Sequence, residues 1–484
     1  MDHQIIIVGT GFGAQAMAIA LRKAGFTDFV MLERRSFAGG TWKQNRYPGA
    51  AVDVQSPLYS LSSTPYPWTR MFAEQAELAQ YTDDVYRQFK LAQHVKLEHN
   101  VEQCVWQEAS QLWQIQITDR APLTCQFVIN ASGPLSQPVI PQFKGAETFA
   151  GRAFHTNDWP DDVDLSNQRV AIIGSGASAT QVIPAITDRV QQLHVFQRTP
   201  HWVIPRPDIK FPKWVQRCLA YRACYYPLRY AIYWGLELRV LGFKYFPVIL
   251  KLMGEWPARR LLKKQIADPS LRALLTPDYT IGCKRIIMSN TLYPALSRSH
   301  VTLHNKDDGI AEITATGITT TQGTAIPLDI LVYATGFDAT DGLISYPVIG
   351  EKGQALSDFW ADYPRAYLGT TIPFCPNFFI MTGPNTGIGH TSAIVVIESQ
   401  VRYILQALRA VCGRNAKSIQ PTVKAESDYT AHIHREMART VWHRGGCNSW
   451  YKSASGKVIA MFPGFSFVYR RLCQRFKWAD HKIQ

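Results

Sequence analysis

Two stretches of the chain repeat one pattern of apolar, small and helix-forming positions. The first runs through Ile5-Ile6-Ile7-Val8 and Gly9-Thr10-Gly11-Phe12-Gly13-Ala14, then keeps helical spacing to about residue 24. The second runs through Val170-Ala171-Ile172-Ile173 and Gly174-Ser175-Gly176-Ala177-Ser178-Ala179, then continues as a helix to about residue 186. A short apolar run without polar alternation predicts a strand buried on both faces. A glycine-rich turn leading from such a strand into a helix brings unpaired N–H groups and the positive end of the helix dipole to one point, where a pyrophosphate can sit. The first two glycines of each turn permit the tight bend and the close phosphate approach. Ala14 and Ala179 fill the third position, where a small side chain lets helix and strand pack closely. One such turn is a common connection between strand and helix. Two of them, each in its proper place, predict two dinucleotide sites.

The remaining pattern also alternates strands and helices. Residues 101–105 and 113–118 read as a β-ribbon, 127–131 as a strand returning to the first unit, 328–334 as another buried strand, and 392–411 as a long helix. The fold class is therefore α/β, with two doubly wound, Rossmann-like domains.

The residue ending the second strand of each unit distinguishes the nucleotides. In the first unit residues 29–32 lead to Glu33, whose carboxylate accepts bonds from ribose hydroxyls and repels a 2′-phosphate. In the second, residues 193–196 lead to Gln197-Arg198-Thr199, where a cation and a hydroxyl suit a 2′-phosphate. The first site thus reads as FAD or NAD and the second as NADPH. Hydride passing from nicotinamide to flavin is the chemistry that such a pair implies. The expected division is an FAD-binding part at 1–145, an NADPH-binding domain at 146–325 with a helical insert at about 205–270, and a second FAD-binding part with the C-terminal segment at 326–484.

Between the units lies Phe149-Ala150-Gly151-Arg152-Ala153-Phe154-His155-Thr156-Asn157-Asp158-Trp159-Pro160. With Gly39-Gly40-Thr41-Trp42, Tyr47-Pro48-Gly49 and Asp53, with Gly282-Cys283-Lys284-Arg285, with Ala334-Thr335-Gly336-Phe337, with Thr382-Gly383-Pro384-Asn385 and with Ser449-Trp450-Tyr451, it makes the chain resemble the Baeyer–Villiger monooxygenases of the class B flavoprotein monooxygenases. The resemblance covers nearly the whole length, although the segment after Trp450 is shorter than the family's. It implies that FAD is held by Gly9, Gly11, Ala14, Glu33, Gly40, Thr41, Trp42, Asp53 and Asn385, and NADPH by Gly174, Gly176, Ala179, Arg198, Thr199 and Lys284. Phe149, Gly151, His155 and Trp159 form the family fingerprint, which reads better as a hinge and linker than as a reacting centre. Arg285 matches the family's catalytic arginine and Asp53 the acid that holds it. A fixed cation that cannot donate a proton suits an anionic flavin peroxide attacking a ketone, with an ester or lactone as product. Oxygenation of sulfur or nitrogen, and oxidase activity releasing hydrogen peroxide, are the alternative outcomes of the same cofactor pair.

Composition adds three expectations. Nine cysteines without a Cys-x-x-Cys pair predict reduced thiols in a cytoplasmic protein, not a disulfide framework or a metal site. The N-terminus enters a strand directly, which predicts no secretory leader. The net charge of +14 is concentrated: residues 199–264 hold 13 Lys and Arg against 3 Asp and Glu, together with 13 aromatic residues. No nucleic-acid recognition module accompanies that charge. Two compatible readings follow: the insert caps a pocket for a lipophilic substrate, with its cations snorkelling outward, and its surface rests on anionic lipid.

Overall fold

The computed structural model describes residues 1–340 and 342–484. β1 (His3–Val8) leads through the first glycine turn into α1 (Phe12–Lys23) and on to β2 (Phe29–Leu32), which pairs in parallel with β1. Then follow β3 (Val95–Lys96) and the antiparallel strands β4 (Val101–Gln107), β5 (Leu112–Ile117) and β6 (Arg120–Asn130). β6 is long enough to do two jobs. Its first half closes the ribbon with β5, and its second half runs parallel to β1. Ile5 and Ile7 pack into one core and Ile6 and Val8 into another, on opposite faces of the sheet. Burial on both faces is why the strand carries no polar alternation.

The second unit starts at β7 (Arg152–His155) and contains β8 (Arg169–Ile173), α2 (Ala177–Ile186) and β9 (Gln192–Phe196). After a long helical excursion, whose main helix is α3 (Arg222–Glu237), the chain returns as β10 (Val301–His304) and β11 (Ile330–Tyr333). These five strands form an all-parallel sheet in the order β10-β9-β8-β11-β7. β11 lies between β8 and β7, so the second unit extends to about residue 333. This corrects the boundary expected at 325. An apolar strand reports burial but not the sheet that buries it, and Ile330–Tyr333 is buried in the second.

Two later strands, β12 (Val348–Ile349) and β13 (Phe378–Ile380), go back to the first sheet, whose order is β12-β4-β5-β6-β1-β2-β3 with β13 beside β6. The long helix α4 (Ala393–Cys412) packs on α1 and is itself covered by α5 (Ser466–Gln474).

The cysteines depart from the sequence-based expectation. Cys283–Cys447 and Cys218–Cys224 are disulfide-bonded, while Cys104, Cys125, Cys375, Cys412 and Cys473 are free. The first bridge joins residues 164 positions apart, a pairing that only the tertiary fold brings about. No helix of the described residues is long and apolar enough to cross a membrane. None of the described residues form a group of three or more His, Cys, Asp or Glu able to hold a metal ion.

Candidate active site

Each glycine turn is shaped by contacts that a side chain would prevent. Gly9 has φ +102, and a Cβ there would lie 2.6 Å from the Ala131 carbonyl oxygen. Gly11 caps α1, and Gly40, with φ +67, approaches so closely that its Cβ would meet the Gly11 Cα at 2.6 Å. The segment 39–42 is thereby folded over the start of α1, with Thr41 opening a short helix, Thr41–Gln44. Buried Glu33 closes this turn. It accepts a short hydrogen bond from the Thr10 hydroxyl and another from the Arg35 N–H at 3.1 Å, while Gly39 N–H donates to the Thr10 Oγ1 at 3.1 Å. Ala14 is fully buried under the turn.

The second turn repeats the backbone with other charges. Gly174 has φ +124 and its Cβ would stand 2.3 Å from the Ala334 oxygen, while Gly176 caps α2 and faces open space. Ser175 Oγ donates to the Thr199 carbonyl at 2.9 Å, tying the turn to the end of β9. Ala179 is buried beneath α2. Arg198 is exposed. Lys284 lies over the Tyr279 ring at 5.1 Å. Burial, and then the neighbouring Arg198, push the Lys284 amine below its ordinary pKa. Two cations held against each other are a receptor for a multiply charged anion. A small cavity of about 20 Å³ beside them is lined by Ser175, Thr180, Gln197 and His201, and the Thr180 hydroxyl and His201 Nδ1 have no partner there.

Between the turns stands the Asp53–Arg285 pair. The guanidinium is bidentate, with Nε at 2.8 Å from Oδ2 and an Nη at 2.6 Å from both carboxylate oxygens. About a third of each side chain stays accessible, 35% for Arg285 and 34% for Asp53, so the pair lines a crevice within the protein. Asp53 holds the guanidinium firmly in its charged form, raising its pKa above the ordinary value. Asp53 arrives on a loop bolted to the second unit. Tyr47 donates to Gln181 Oε1 at 2.9 Å, Gln181 Nε2 donates to the Ala51 carbonyl at 2.8 Å, and Gly49 lies so close to α2 that a Cβ would meet the Gln181 oxygen at 2.5 Å.

Two tyrosines that no motif had singled out for a role complete the crevice. Tyr59 accepts from Trp42 Nε1 at 3.2 Å, and Tyr451 is buried. Burial pushes both phenols up to about 12, with the charges of Asp53 and Arg285 also acting on each. Both are neutral hydrogen-bond donors at physiological pH. Trp450, its neighbour, is 47% exposed. Tyr59 stands in no motif and Tyr451 only closes the Ser449-Trp450-Tyr451 stretch, so it is their place beside the pair that singles them out.

Asn385 and the fingerprint act through the chain itself. Asn385 donates its side-chain amide to the carbonyls of Val458 at 3.1 Å and Met461 at 3.0 Å, so it fixes the C-terminal segment to the loop before α4. Gly151 permits β7 to pass the Asp329 carbonyl, which a Cβ would approach to 2.3 Å, with the Phe149 ring 2.6 Å from the same point. His155 is buried, accepts from the Asn157 N–H at 3.0 Å and meets Phe337 edge-on. Trp159 packs on Phe154. Gln44, in the segment leading to Asp53, donates to the Asn157 carbonyl at 2.6 Å and to Asp158 at 2.7 Å. The fingerprint therefore joins the second sheet to the segment carrying Asp53.

Comparison with known proteins places this geometry in context. Residues 6–219 match the model of the family described as pyridine nucleotide-disulphide oxidoreductase. A Baeyer–Villiger monooxygenase of Pseudomonas aeruginosa is 40% identical over 98% of this chain and 90% of its own length. One from Streptomyces coelicolor is 40% identical over 99% and 92%. The crystal structure of OTEMO in complex with FAD and NADP superposes with a TM-score of 0.90 at 25% identity, over 100% of this chain and 99% of that one.

Proposed function

Because the chain belongs to the Baeyer–Villiger monooxygenase family, we propose that its Asp53–Arg285 crevice is the reacting centre of an oxygen insertion served by the two dinucleotide turns. The protein is an FAD- and NADPH-dependent monooxygenase, which takes a ketone and O2 and places one oxygen atom beside the carbonyl to give an ester or lactone. The residues present fit both groups. The Gly9–Gly11–Gly40 cradle, which any Cβ would fill, and the acceptor Glu33 suit an FAD pyrophosphate and ribose. The paired cations Arg198 and Lys284, with Thr199 and the turn at Gly174–Gly176, suit the extra phosphate of NADPH. When bound, NADPH supplies the hydride and FAD the means of activating oxygen.

The protein's own part is electrostatic. Arg285 stays charged and cannot act as a proton donor at any working pH, so it favours negative charge nearby without quenching it. As a ketone carbonyl is attacked its oxygen gains negative charge, and a cation already fixed in a crevice stabilises that charge without reorganising. Asp53 sets the angle of the guanidinium through both of its oxygens. Tyr59 and Tyr451 stay neutral and help to exclude water. Trp42, Tyr59 and Tyr451 make the crevice aromatic, which supports a lipophilic ketone as substrate.

The observation carrying this reading is the bidentate pair at 2.6–2.8 Å between the two turns. It is tested by turning over cyclic, aromatic and long-chain ketones with NADPH under labelled O2. The expected product is an ester or lactone containing one labelled atom. NADPH consumption that yields only hydrogen peroxide or sulfoxides, with every ketone returned unchanged, would overturn the reading.

A further inference from the structure

The excursion between β9 and β10 has two unlike faces. The inner face of α3 is fixed in the protein. Buried Arg229 donates to the carbonyls of Pro57 at 2.7 Å and Ser60 at 2.8 Å, and Tyr225 donates to the Pro57 carbonyl at 2.9 Å. About two turns on, buried Glu237 accepts from the Ser466 N–H at 3.1 Å and lies 3.4 Å from His390 Nε2. Tyr225, Tyr233 and Leu236 belong to the core of the first unit. Buried polar contacts at the middle and at the C-terminal end of α3 thus fix it to the protein.

The outer face carries apolar groups that nothing covers. Of the 22 large apolar side chains exposed among the described residues, 12 lie between 209 and 256. Tyr230, Trp234 and Leu238 follow one another at intervals of four and so form a single stripe along α3. Trp234 touches Phe467 of α5, with ring centroids 5.9 Å apart, and this extends the stripe across a second element. Beyond Leu238 the chain makes two π-turns, Leu241–Tyr245 and Lys251–Glu255, around a short helix, Pro247–Leu250. Phe246, Val248, Leu252 and Met253, exposed by 58–73%, project from this region. A cluster of exposed large apolar side chains in one segment marks an interaction surface.

Charge indicates which partner. Between 210 and 264 ten Lys and Arg are exposed, whereas the two acids in that range, Glu237 and Glu255, are respectively buried and paired with Arg259. A second copy of this face would bring like charges together, which opposes a symmetric dimer. Aliphatic tips, tryptophans and tyrosines ringed by cations match instead a bilayer with anionic headgroups. Such a surface buries the tips among the acyl chains, keeps aromatic rings at the headgroup level and sets the cations against lipid phosphate.

We propose that the face formed by the α3 stripe and the segment 241–256 docks the protein peripherally on an anionic lipid bilayer. The inner side of the same helix holds Pro57–Ser60, the segment that carries Tyr59 of the crevice, so docking would set the bilayer and the reacting centre on opposite sides of α3. The proposal stands on surface chemistry and does not depend on the oxygenation reading.

The test uses the full-length FAD-loaded protein and vesicles of phosphatidylglycerol mixed with phosphatidylcholine, with pure phosphatidylcholine as control. Co-sedimentation with the anionic vesicles is expected at low salt and declines as salt is added. Lys251→Gln should weaken it about fivefold, and Phe246→Ser with Met253→Ser about tenfold or more. Flavin absorbance and NADPH oxidation by these variants check that they are folded. Failure of the parent protein to sediment at low salt, or equal sedimentation by parent and tip variant, would overturn the proposal. So would a dimer at sedimentation equilibrium that the tip variant abolishes, since the face would then belong to a second copy.

Discussion

At the end of its second strand the first dinucleotide unit buries a carboxylate, Glu33, bonded to Thr10 and to the Arg35 amide, whereas the second leaves Arg198 exposed beside a partly desolvated Lys284. The backbone devices are almost the same. Gly9 and Gly174 both adopt positive φ and both pass a carbonyl that a Cβ would strike. On the proposed assignment the shared part is the phosphate cradle, and the difference lies in how each unit would treat the ribose. A buried acceptor already held in place selects hydroxyls, while two cations without a bonded carboxylate of their own select a further phosphate.

The largest test of that division is steric. Gly40→Val places a branched side chain against Gly11 at a backbone angle that disfavours it. The purified protein should carry almost no flavin. Gly174→Val should keep its flavin and lose NADPH binding. Flavin absorbance and NADPH titration separate the two outcomes, and a variant that lost the opposite cofactor would reverse the assignment of the units.

Smaller effects follow from charge. Arg198→Ala and Lys284→Ala each remove a charge-assisted contact, and KM for NADPH should rise about 10- to 100-fold. The kcat and the KM for NADH should change little. An equal loss for both nucleotides would mean that these cations do not read the extra phosphate.

The smallest expected effect is on stability in acid. Burial lowers the pKa of His155 and pushes His194 and His201 down to about 4 in the second unit or its immediate continuation, and it also lowers His94, His434 and His481 in the first. The unfolded counterparts of all six titrate near about 6.5, so below that pH the unfolded chain binds more protons than the folded one. Stability is full above about pH 6.5 and declines as pH falls towards 4. The midpoint of thermal unfolding should therefore be a few degrees lower at pH 5 than at pH 7.5. An unchanged midpoint at pH 5 would contradict this.

Features governed by local sequence were legible before the structure. The apolar runs at 5–8 and 170–173, the glycine turns and the contrast between Glu33 and Arg198 each express a short-range constraint. Asp53 and Arg285 could be named from motifs, but their bidentate geometry required the loop at Tyr47–Asp53 to bind α2. Long-range partnerships left no local trace. Ile330–Tyr333 is as apolar as a strand of either sheet, and only pairing assigns it to the second. Cys283 and Cys447 have no informative spacing, and their bridge corrects the expectation of thiols alone. Tyr451 was visible within a motif but received no role, because burial depends on the segment around it. Glu237 and His390 sit in unrelated stretches and meet only through the docking of α3.

The reading of the crevice depends above all on Arg285, and Arg285→Ala examined by rapid mixing tests it most directly. Purified with FAD and mixed with NADPH under labelled O2 and a ketone that the parent protein converts, the variant should reduce its flavin at close to the parent rate. Ester formation should fall about 100- to 1,000-fold or more, with NADPH oxidation ending in hydrogen peroxide. Labelled ester formed at near-parental rate would contradict the role given to Arg285, and with it the placement of the reacting centre at the Asp53–Arg285 pair.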